Sequence, residues 1–281
     1  MLGPAEVSDL LERHGLEARR SLGQNFVVDP NTVRKVARLA DLHPGDRVVE
    51  VGPGLGSLTL ALAETGASVL ALEKDRTLIP VLHDVLATAD GQDARGPVRV
   101  VEGDALTQDW DALLDGSPWS LVSNLPYNVA VPVVMRVLDS APQVHRLVVM
   151  VQLEVAERLC ATPGDRTIGI PTIKLGWYAK ARVLMTVGPD VFIPRPRVHS
   201  AVVGITRRPP PSERVGPGEV FPLVERAYRQ RRKMLRSTLG SVVAVDQFDA
   251  ADIDPQLRPE RLALADWVRL AEVLSAGGVS P

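Results

Sequence analysis

The sequence predicts an α/β protein in which a mainly parallel β-sheet is followed by a small helical domain. Three observations lead to this fold class. From about residue 47 to residue 207, short apolar runs alternate with helical patterns, as in a parallel sheet with helices on both faces. A glycine-rich turn follows the first of these runs. After residue 206 the run RRPPPSERVGPGE is too rich in proline and glycine for regular structure and is typical of a linker.

Seven apolar runs are candidate strands. They span residues 47–51, 68–72, 98–101, 120–122, 146–151, 181–187 and 200–206. Helical patterns between them span residues 58–64, 77–87, 133–138 and 153–160. The last two strands face each other across VGPDVFIPRPRVH, which suggests an antiparallel pair at the edge of the sheet.

Further helices flank the sheet. Asp29-Pro30-Asn31 opens a helix through residue 42, because a carboxylate at the cap and a proline in the first turn both suit a helix start. Beyond the linker, residues 220–239 and 265–274 have helical patterns. We therefore expect a main domain over residues 1–209 and a small helical domain over residues 210–281.

The composition indicates a soluble, globular protein, with 45% hydrophobic and 23% charged residues among 281. No uncharged apolar stretch reaches the length of a membrane span, and the first residues lack the basic-then-apolar layout of a signal peptide. We therefore expect a cytoplasmic protein with no membrane partner.

The formal net charge of −2 hides an uneven distribution. Residues 185–238 carry 11 Lys and Arg against 4 Asp and Glu, a net charge of +7, whereas residues 1–184 and 239–281 carry −5 and −4. Arginines that neutralise phosphates must cluster where a polyanion runs, so this segment is a candidate binding face. A basic, solvated helix face would give the same pattern.

The glycine-rich turn is Gly52-Pro53-Gly54-Leu55-Gly56. Glycines at this point let the backbone approach a nucleotide. The fingerprint G-x-G-x-x-G fails at its sixth position, Ser57, which argues against a nicotinamide dehydrogenase. Glu50, just before the turn, would repel a pyrophosphate but attract the ammonium group of an amino acid. Together they favour S-adenosylmethionine, although a turn that merely needs glycine would look the same.

Two more carboxylates follow later strands. Glu73 ends the second strand, 21 residues after Gly52, and can accept the hydrogens of both ribose hydroxyl groups. Asp104 follows the third strand and can accept from an adenine amino group. Taken alone, each carboxylate could equally be a solvated side chain at the end of a strand. Because they and Glu50 meet at the carboxyl edge, where open α/β sheets bind ligands, we expect one cofactor site.

The fourth strand delivers SNLPYN, residues 123–128, to the same edge. The exocyclic amine of adenine is a poor nucleophile because its lone pair is delocalised, so its methylation needs acceptors for both amine hydrogens. The oxygen of Asn124 and a backbone carbonyl of the turn can supply them. Pro126 stiffens the turn, and Tyr127 offers a face for an extruded base, worth about 1–3 kcal/mol. An ordinary turn with a packed tyrosine is the alternative.

Other chemistries fit the residues less well. Methylation at C5 of a pyrimidine requires a thiolate nucleophile, and the chain's single cysteine, Cys160, lies in the helical stretch ERLCA. One cysteine also excludes an internal disulfide and a thiolate metal cluster. His199 has no second histidine or carboxylate at ligand spacing, so we expect no metal.

Six motifs together resemble one family. In chain order they are SLGQNFVVD, VEVGPGLGSLT, VEGDAL, SNLPYN, VFIPRPRVHSAVV and YRQRRKMLRSTL. From about Ala18 to the C-terminal helix, they closely resemble the KsgA/RsmA family of small-subunit rRNA adenine dimethyltransferases. The resemblance implies a seven-stranded, Rossmann-like class I S-adenosylmethionine-dependent methyltransferase domain with a small C-terminal helical domain. It also implies N6,N6-dimethylation of two adjacent adenosines in the 3′-terminal hairpin loop of 16S rRNA, in the immature small subunit. We expect the enzyme to act as a monomer.

The resemblance also assigns roles to residues. The implied cofactor contacts are Asn25, Val27, Gly52, Glu73, Asp104 and Asn124, to which the reasoning from the glycine turn adds Glu50 and Gly54. Val27 stands where leucine is usual, so we expect it to contribute through its backbone. Tyr127 and Phe192 match two aromatics that sandwich the target base, and Leu125 lends its carbonyl. Ordinary core packing is the alternative for Phe192.

The candidate RNA contacts are basic. They are Arg195, Arg197, Arg229, Arg231, Arg232, Lys233 and Arg236. On a helix over YRQRRKMLRSTL, the apolar residues can dock while the arginines face phosphates, which position the RNA without reading its bases. Alternatively, Arg231 or Arg232 pairs with glutamates of the main domain.

Two rival functions remain. Erm-type 23S rRNA adenine N6-methyltransferases share the cofactor motifs, but NLPYN, PRPRVHSAVV and the basic helix followed by RPERLALADWVRL favour the small-subunit assignment. The other rival is a non-catalytic ribosome-assembly factor. Such a binder needs only the basic surface, so the intact carboxylates and SNLPYN argue for a working enzyme.

Overall fold

The computed structural model describes residues 1–18, 23–89 and 95–277, which form two compact units. The first comprises Met1–Ala156 and Arg182–Thr206, and the second comprises Glu157–Ala181 and the chain from Arg207 onward. Because the predicted linker follows residue 206, the sequence pattern assigns residues 157–181 to the main domain that contains the sheet. In the structure, Ile173 and Trp177 of this stretch belong to the apolar core of the second unit, which explains the difference.

The first unit is built on a seven-stranded sheet. Its strands are β2 (Arg47–Val51), β3 (Ser68–Glu73), β4 (Val98–Glu102), β5 (Trp119–Asn124), β6 (Val144–Gln152), β7 (Ala179–Val187) and β9 (Ser200–Arg207). Two short strands, β1 (Phe26–Val27) and β8 (Phe192–Ile193), form a separate antiparallel pair. The seven strands lie in the order β4-β3-β2-β5-β6-β9-β7.

Strands β2 to β6 pair in parallel, whereas β9 runs antiparallel to β6. This direction brings Ser200, the first residue of β9, opposite Gln152 at the end of β6. All seven predicted strands are present, and the last two predicted strands are neighbours in the sheet. The pair β1 and β8 escaped prediction because two residues are too few to show a periodicity.

Helices connect the strands of the first unit. They are α1 (Pro4–Arg13), α2 (Pro30–Ala40), α3 (Ser57–Ala63), α4 (Ile79–Ala89), α5 (Trp110–Leu113), α6 (Ala130–Ser140) and the start of α7 (Leu153–Leu159). The predicted start of α2 is confirmed, because the carboxylate of Asp29 accepts hydrogen bonds from the backbone N–H groups of Asn31 and Thr32. The helix ends two residues earlier than expected, at Ala40, before Asp41 in the left-handed conformation.

The second unit is helical. Its helices are α8 (Ile170–Tyr178), α9 (Pro217–Tyr228), α10 (Leu235–Leu239), α11 (Val245–Ala250) and α12 (Leu264–Ala276). Trp267 and Phe248 are fully buried in its core. Over the ranges that the structure describes, no helix combines the length and the apolar character needed to cross a membrane.

The single helix predicted over residues 220–239 is wrong. It is divided into α9 and α10, with turns over residues 229–233. In a continuous helix, Arg231 would follow Val224 by seven residues and Ala227 by four, on the face that is buried in α9. Burying a guanidinium in an apolar core is unfavourable, which disfavours the continuous helix.

Long-range hydrogen bonds fix the interruption. The N–H of Leu235 donates to the carbonyl of Leu257 at 2.8 Å, and the N–H of Arg236 donates to that of Pro255 at 2.9 Å. Leu235 and Leu239 are then fully buried. Of the seven predicted RNA contacts, four lie on these turns and not on a helix. They are Arg229, Arg231, Arg232 and Lys233.

Candidate functional site

A cavity of about 450 Å³ lies at the carboxyl edge of the sheet, where the turns after β2, β3, β4 and β5 meet the segment over residues 23–27. It brings together eleven of the predicted site residues. They are Asn25, Val27, Glu50, Gly52, Gly54, Glu73, Asp104, Asn124, Leu125, Pro126 and Tyr127. The whole cavity belongs to the first unit.

The turn between β2 and α3 requires its glycines. Gly52, Gly54 and Gly56 have φ values of 68°, 58° and 89°, in the region that favours glycine. A Cβ atom on Gly56 would lie 2.6 Å from Cδ1 of Leu82, whereas on Gly52 the nearest atom would be 3.7 Å away, on Pro126. Gly56 is therefore required by packing, and Gly52 leaves room along the cavity wall.

Glu50 lies at the floor of the cavity and is 1% exposed. The hydroxyl of Thr59 donates to its Oε2 at 2.6 Å. Burial raises the pKa of Glu50 to about 8, the Thr59 hydrogen bond opposes this shift, and the charge of Glu73 adds to it. Glu50 therefore holds a proton at neutral pH in the free protein. A cation beside it would favour the carboxylate form, so the group suits an ammonium ligand.

Glu73 ends β3 and is also buried. Its Oε2 accepts from the N–H of Gly54 at 3.1 Å, and its Oε1 accepts from that of Asp75 at 2.8 Å. Burial raises its pKa, against the effect of these two bonds. A carboxylate has about four lone-pair positions. The backbone N–H of Lys74 also acts on this carboxylate, and the positions that remain can accept from hydroxyl groups of a ligand.

Asp104 follows β4 and is held by Lys74, which the sequence reasoning missed. The Lys74 Nζ lies 2.8 Å from Asp104 Oδ2, and the N–H of Leu106 donates to Oδ1 at 3.0 Å. The Lys74 hydrogen bond is the main cause of a lowered pKa of Asp104. Asp104 is thus a charged hydrogen-bond acceptor on the cavity wall.

Asn124 ends β5 with its amide oriented by the neighbouring wall. Its Nδ2 donates to the backbone carbonyl of Asn25 at 2.9 Å. Reversing the amide would set two oxygens against each other, so the side-chain oxygen Oδ1 points elsewhere as an acceptor. The N–H of Leu125 donates to the backbone carbonyl of Met150 at 3.1 Å. The hydroxyl of Ser123 donates to the backbone carbonyl of Val51. The turn is therefore fixed to both neighbouring strands.

The segment over residues 23–27 closes one wall of the cavity. Gln24 Nε2 donates to Asp75 Oδ2 at 3.0 Å, which ties the segment to the turn after β3. Gly23 has a φ of 69°, and a Cβ there would lie 2.6 Å from the Asn128 side-chain oxygen. The absence of a side chain at Gly23 allows the segment over residues 23–27 to lie close to the turn formed by SNLPYN. The first two residues of the motif SLGQNFVVD lie outside the described residues.

Tyr127 is half-buried, and its hydroxyl forms a hydrogen bond of 2.6 Å with Oγ of Ser200. Burial raises the pKa of the phenol, so it stays protonated at neutral pH. Tyr127 lines the cavity. An acceptor amide and an aromatic ring thus stand at the same edge as three carboxyl groups.

The profile of the family "Ribosomal RNA adenine dimethylase" matches residues 15–276. This chain belongs to that family. A relative from Kineococcus radiotolerans, named ribosomal RNA small subunit methyltransferase A, is 48% identical over 277 residues, which cover 96% of this chain and 91% of the relative. A relative of the same name from Acidothermus cellulolyticus is 47% identical over 276 residues, which cover 96% of this chain and 94% of that protein.

Two solved methyltransferase structures have a fold similar to that of this chain. A dimethyladenosine transferase from Plasmodium falciparum superposes with a TM-score of 0.75 at 22% identity, covering 89% of this chain and 98% of that one. The 23S rRNA methyltransferase ErmE superposes with a TM-score of 0.68 at 25% identity, covering 89% of this chain and all of that one. The predicted family, the class I methyltransferase fold and the enzyme class are confirmed. S-adenosylmethionine is the methyl donor of the family.

Neither rival function is favoured. Relatives that share nearly half of their residues with this chain are named for the small subunit, whereas ErmE shares a quarter. Those relatives are named as methyltransferases, which argues against a factor without catalysis.

Phe192, the second predicted aromatic, is not on the cavity wall that the described residues form. It lies in β8 opposite Val27, is 2% exposed, and belongs to a core cluster with Val187 and Val202. To stack on a base, its ring would have to leave this packing. Its role in the family's site stays a prediction.

The predicted RNA contacts differ in their surroundings. In the first unit, Arg195 pairs with Asp190 at 2.9 Å and Arg197 is exposed. In the second unit, Arg231 pairs with Glu260 at 3.7 Å and donates to the carbonyl of Arg166 at 2.6 Å. The glutamate that pairs with Arg231 thus belongs to the helical unit and not to the main domain. The other predicted contacts of this unit are exposed. They are Arg229, Arg232, Lys233 and Arg236.

Sequence reasoning missed three residues that support the site, although each leaves a signal. Thr59 is the polar residue inside the apolar run LTLALA of α3, and Ser200 precedes the apolar run AVV of β9. Lys74 directly follows Glu73. Thr59 and Ser200 each adjoin an apolar run, whereas Lys74 lies in the charged run EKDR, and in each case the fold decides which group the side chain meets.

Proposed function

We propose that this enzyme dimethylates the N6 atoms of two adjacent adenosines in the 3′-terminal hairpin loop of 16S rRNA, acting as a cytoplasmic monomer on the immature small ribosomal subunit. The observation that carries the proposal is the arrangement of Glu50, Glu73, Asp104 and Asn124 around one cavity in a chain of the rRNA adenine dimethylase family. The name shared by its relatives supports the small subunit as the substrate.

Three carboxyl groups hold the methyl donor. Glu50 accepts the ammonium group of the methionine part, and this contact drives its proton off. Glu73 accepts the two ribose hydroxyl groups, while Gly52 and Gly54 let the chain pass close to the ligand. Asp104 accepts the adenine amino group. Asn25 and Val27 complete the wall, and Val27 contributes through its backbone because its side chain is buried.

Asn124 and the turn after it hold the target amine. Bound S-adenosylmethionine supplies an electrophilic methyl group on a positively charged sulfur. The oxygen of Asn124 and the carbonyl of Leu125 accept the two amine hydrogens. These contacts favour a pyramidal nitrogen, whose lone pair is localised on the nitrogen and can attack the methyl group. Positive charge develops on the nitrogen, and both acceptors stabilise it.

No protein base is needed before methyl transfer. The methylated amine is strongly acidic while it carries the positive charge, and its proton passes to water afterwards. An amide suits the position of Asn124 better than a carboxylate, because it accepts a hydrogen bond without trapping that charge. Tyr127 supplies the face on which the extruded base stacks, and Phe192 is proposed as the opposite face.

Basic side chains hold the RNA backbone. We assign phosphate contacts to Arg195, Arg197, Arg229, Arg232, Lys233 and Arg236, which are exposed. Arg231 completes the set, although part of its binding capacity is used by Glu260. Contacts of this kind position the RNA, and the target bases are selected in the cavity.

The test is transfer of labelled methyl from S-adenosylmethionine to immature small subunits and, in parallel, to large-subunit RNA, followed by nucleoside analysis. We expect N6,N6-dimethyladenosine in the small subunit alone, and labelling slower by orders of magnitude with Asn124→Ala. Label in the large subunit alone would assign the Erm-type activity. Tight binding to subunits without any label would assign an assembly factor.

A further inference from the structure

We propose that Ser200 is a positioning residue for the methyl-transfer reaction, which sets the ring of Tyr127 through their hydrogen bond. The inference rests on the proposed stacking of the target base on Tyr127. It starts from the 2.6 Å contact between the two hydroxyl oxygens.

Ser200 is a fixed anchor. It is fully buried and is the first residue of β9, paired with Gln152 at the end of β6. The carbonyl of the preceding residue, His199, accepts from the N–H of Leu153 at 2.9 Å. The chain at Ser200 is therefore held against the end of β6, and its hydroxyl is a defined point at the sheet edge.

Tyr127 needs such an anchor. It stands in the turn after β5, outside the hydrogen-bonded ladder of the sheet, so strand pairing does not fix its position. Because β6 lies between β5 and β9, the tyrosine side chain reaches across one strand, and neighbouring strands are about 4.8 Å apart. Only the antiparallel direction of β9 brings its first residue to the edge where β5 and β6 end.

The hydrogen bond fixes the ring at its far end. Cβ and the hydroxyl oxygen hold the two ends of the long axis of the ring. Because the phenolic O–H is conjugated with the ring and lies in its plane, off this axis, a hydrogen-bond partner at a fixed point also restrains rotation about the axis. The bond therefore restrains the plane of the ring. A stacking surface acts through its plane, and a base held at a wrong angle also misplaces its N6 relative to Asn124. The bond therefore affects turnover more than it affects the binding of the cofactor.

Kinetics of single and double variants test this step. We expect Ser200→Ala and Tyr127→Phe each to lower kcat by about tenfold, and the double variant to lose about tenfold and not about a hundredfold, because both changes remove one bond. The KM for S-adenosylmethionine should stay within about twofold of wild type. Tyr127→Ala removes the ring itself and should lower kcat by about a hundredfold or more.

Ser120→Ala is the matched control, since Ser120 is a buried serine of the same sheet that does not line the cavity. It should keep wild-type kcat. Losses that multiply in the double variant, or a Ser200→Ala variant as active as wild type, would overturn the proposal.

A spectroscopic measurement keeps the inference separate from the activity itself. The chain has three tyrosines, so 3-fluorotyrosine labelling gives three fluorine resonances, of which Tyr127→Phe identifies one. Ser200→Ala should shift or broaden the Tyr127 resonance and leave those of Tyr178 and Tyr228 unchanged, as Ser120→Ala should leave all three. An unchanged Tyr127 resonance would overturn the positioning role even in an active enzyme. If wild type methylated no rRNA, the proposed function would fail, and the spectra would still decide whether Ser200 sets the ring.

Discussion

Glu50, Glu73 and Asp104 have similar side chains but different proton affinities in the cavity. Burial raises the pKa of Glu50 to about 8 and also raises that of Glu73, whereas Lys74 lowers that of Asp104. The difference follows from which groups are removed from water and which meet a cation. One site therefore presents both a neutral and a charged acid to its ligand.

The titration of Glu50 makes stability depend on pH. Its pKa is about 8 in the folded protein against an ordinary 4.5, so the folded state holds a proton that the unfolded chain releases between these values. The contribution of Glu50 to the free energy of unfolding is therefore greatest below about pH 4.5 and is lost as the pH rises to about 8. Glu50→Gln does not titrate, and we expect it to be more stable than wild type by on the order of 5 kcal/mol at the upper end of this range.

Thermal unfolding from about pH 5 to about pH 8.5 measures this effect. The stability gain of Glu50→Gln over wild type should grow with pH. Asp104→Asn is the control of opposite sign, since a lowered pKa means that its charged form stabilises the fold near neutral pH. A gain for Glu50→Gln that is the same at every pH would contradict the buried proton.

Replacing Asn124 separates chemistry from cofactor binding. Asn124→Ala removes the acceptor for the target amine, and we expect kcat to fall by about a hundredfold to a thousandfold. Affinity for S-adenosylmethionine, measured by calorimetry, should fall only a few-fold, because the carboxyl groups that hold the cofactor remain. Turnover like that of wild type would remove Asn124 from the mechanism.

At the scale of elements, the turn between β2 and α3 combines a packing requirement and a ligand requirement at different glycines. Gly56→Ala forces a Cβ against the buried Leu82 at a positive φ, so we expect a loss of about 2–4 kcal/mol in the free energy of unfolding. Gly52→Ala has more room and should lose about 1–2 kcal/mol. Its added methyl stands at the cavity wall, however, and should weaken cofactor binding at least tenfold.

Denaturant unfolding and calorimetry with S-adenosylmethionine together test this pair of variants. Each variant serves as the control for the other, because both place a Cβ atom at a glycine of positive φ in the same turn. If Gly52→Ala bound the cofactor as tightly as wild type, the glycine at this position would have only a structural role.

The basic segment of the second unit, residues 229–236, makes a second prediction at the same scale. Arg232 is exposed, so Arg232→Glu should weaken binding of a 16S rRNA fragment and flatten its salt dependence without changing the unfolding temperature. Arg231→Glu should do the same and also lower the unfolding temperature, because the new carboxylate faces Glu260.

The dissociation constant measured over a range of salt concentrations gives the slope. Arg258→Glu, at an exposed arginine of the same unit outside this segment, is the control with the same change of charge. If Arg232→Glu and Arg258→Glu had equal effects, the segment would be an ordinary solvated surface.

At the scale of the whole molecule, the second unit is assembled from two separate pieces of chain. Ile173 and Trp177 pack with Leu223 and Trp267 in its core. A chain that ends at residue 209, where the linker suggests a domain boundary, would expose these apolar side chains. We expect that truncated chain to bind a hydrophobic dye and to aggregate, unlike the full chain.

Expression of the truncated chain, with light scattering and dye fluorescence, checks this prediction. Changing Ile173 and Trp177 to serine in the truncated chain should restore its solubility, and this variant is the matched control. A monodisperse truncated chain that binds no dye would mean that residues 157–181 do not depend on the second unit.

The sequence by itself determined the features that depend on neighbours in the chain. Seven strands follow from apolar runs, the start of α2 follows from Asp29 and Pro30, and the turn at Gly52 follows from its glycines. The carboxyl-edge rule then gathers Glu50, Glu73, Asp104 and Asn124, because parallel strands end on one side of a sheet.

The tertiary structure decided everything that depends on partners far apart in the sequence. The protonation of Glu50 depends on its burial, and the direction of the Asn124 amide depends on a carbonyl about 99 residues away. Hydrogen bonds to Leu257 and Pro255 interrupt the helix that periodicity predicts, and Ser200 meets Tyr127 only because β9 runs antiparallel. Local patterns specify elements, whereas desolvation and long-range hydrogen bonds exist only once those elements have packed.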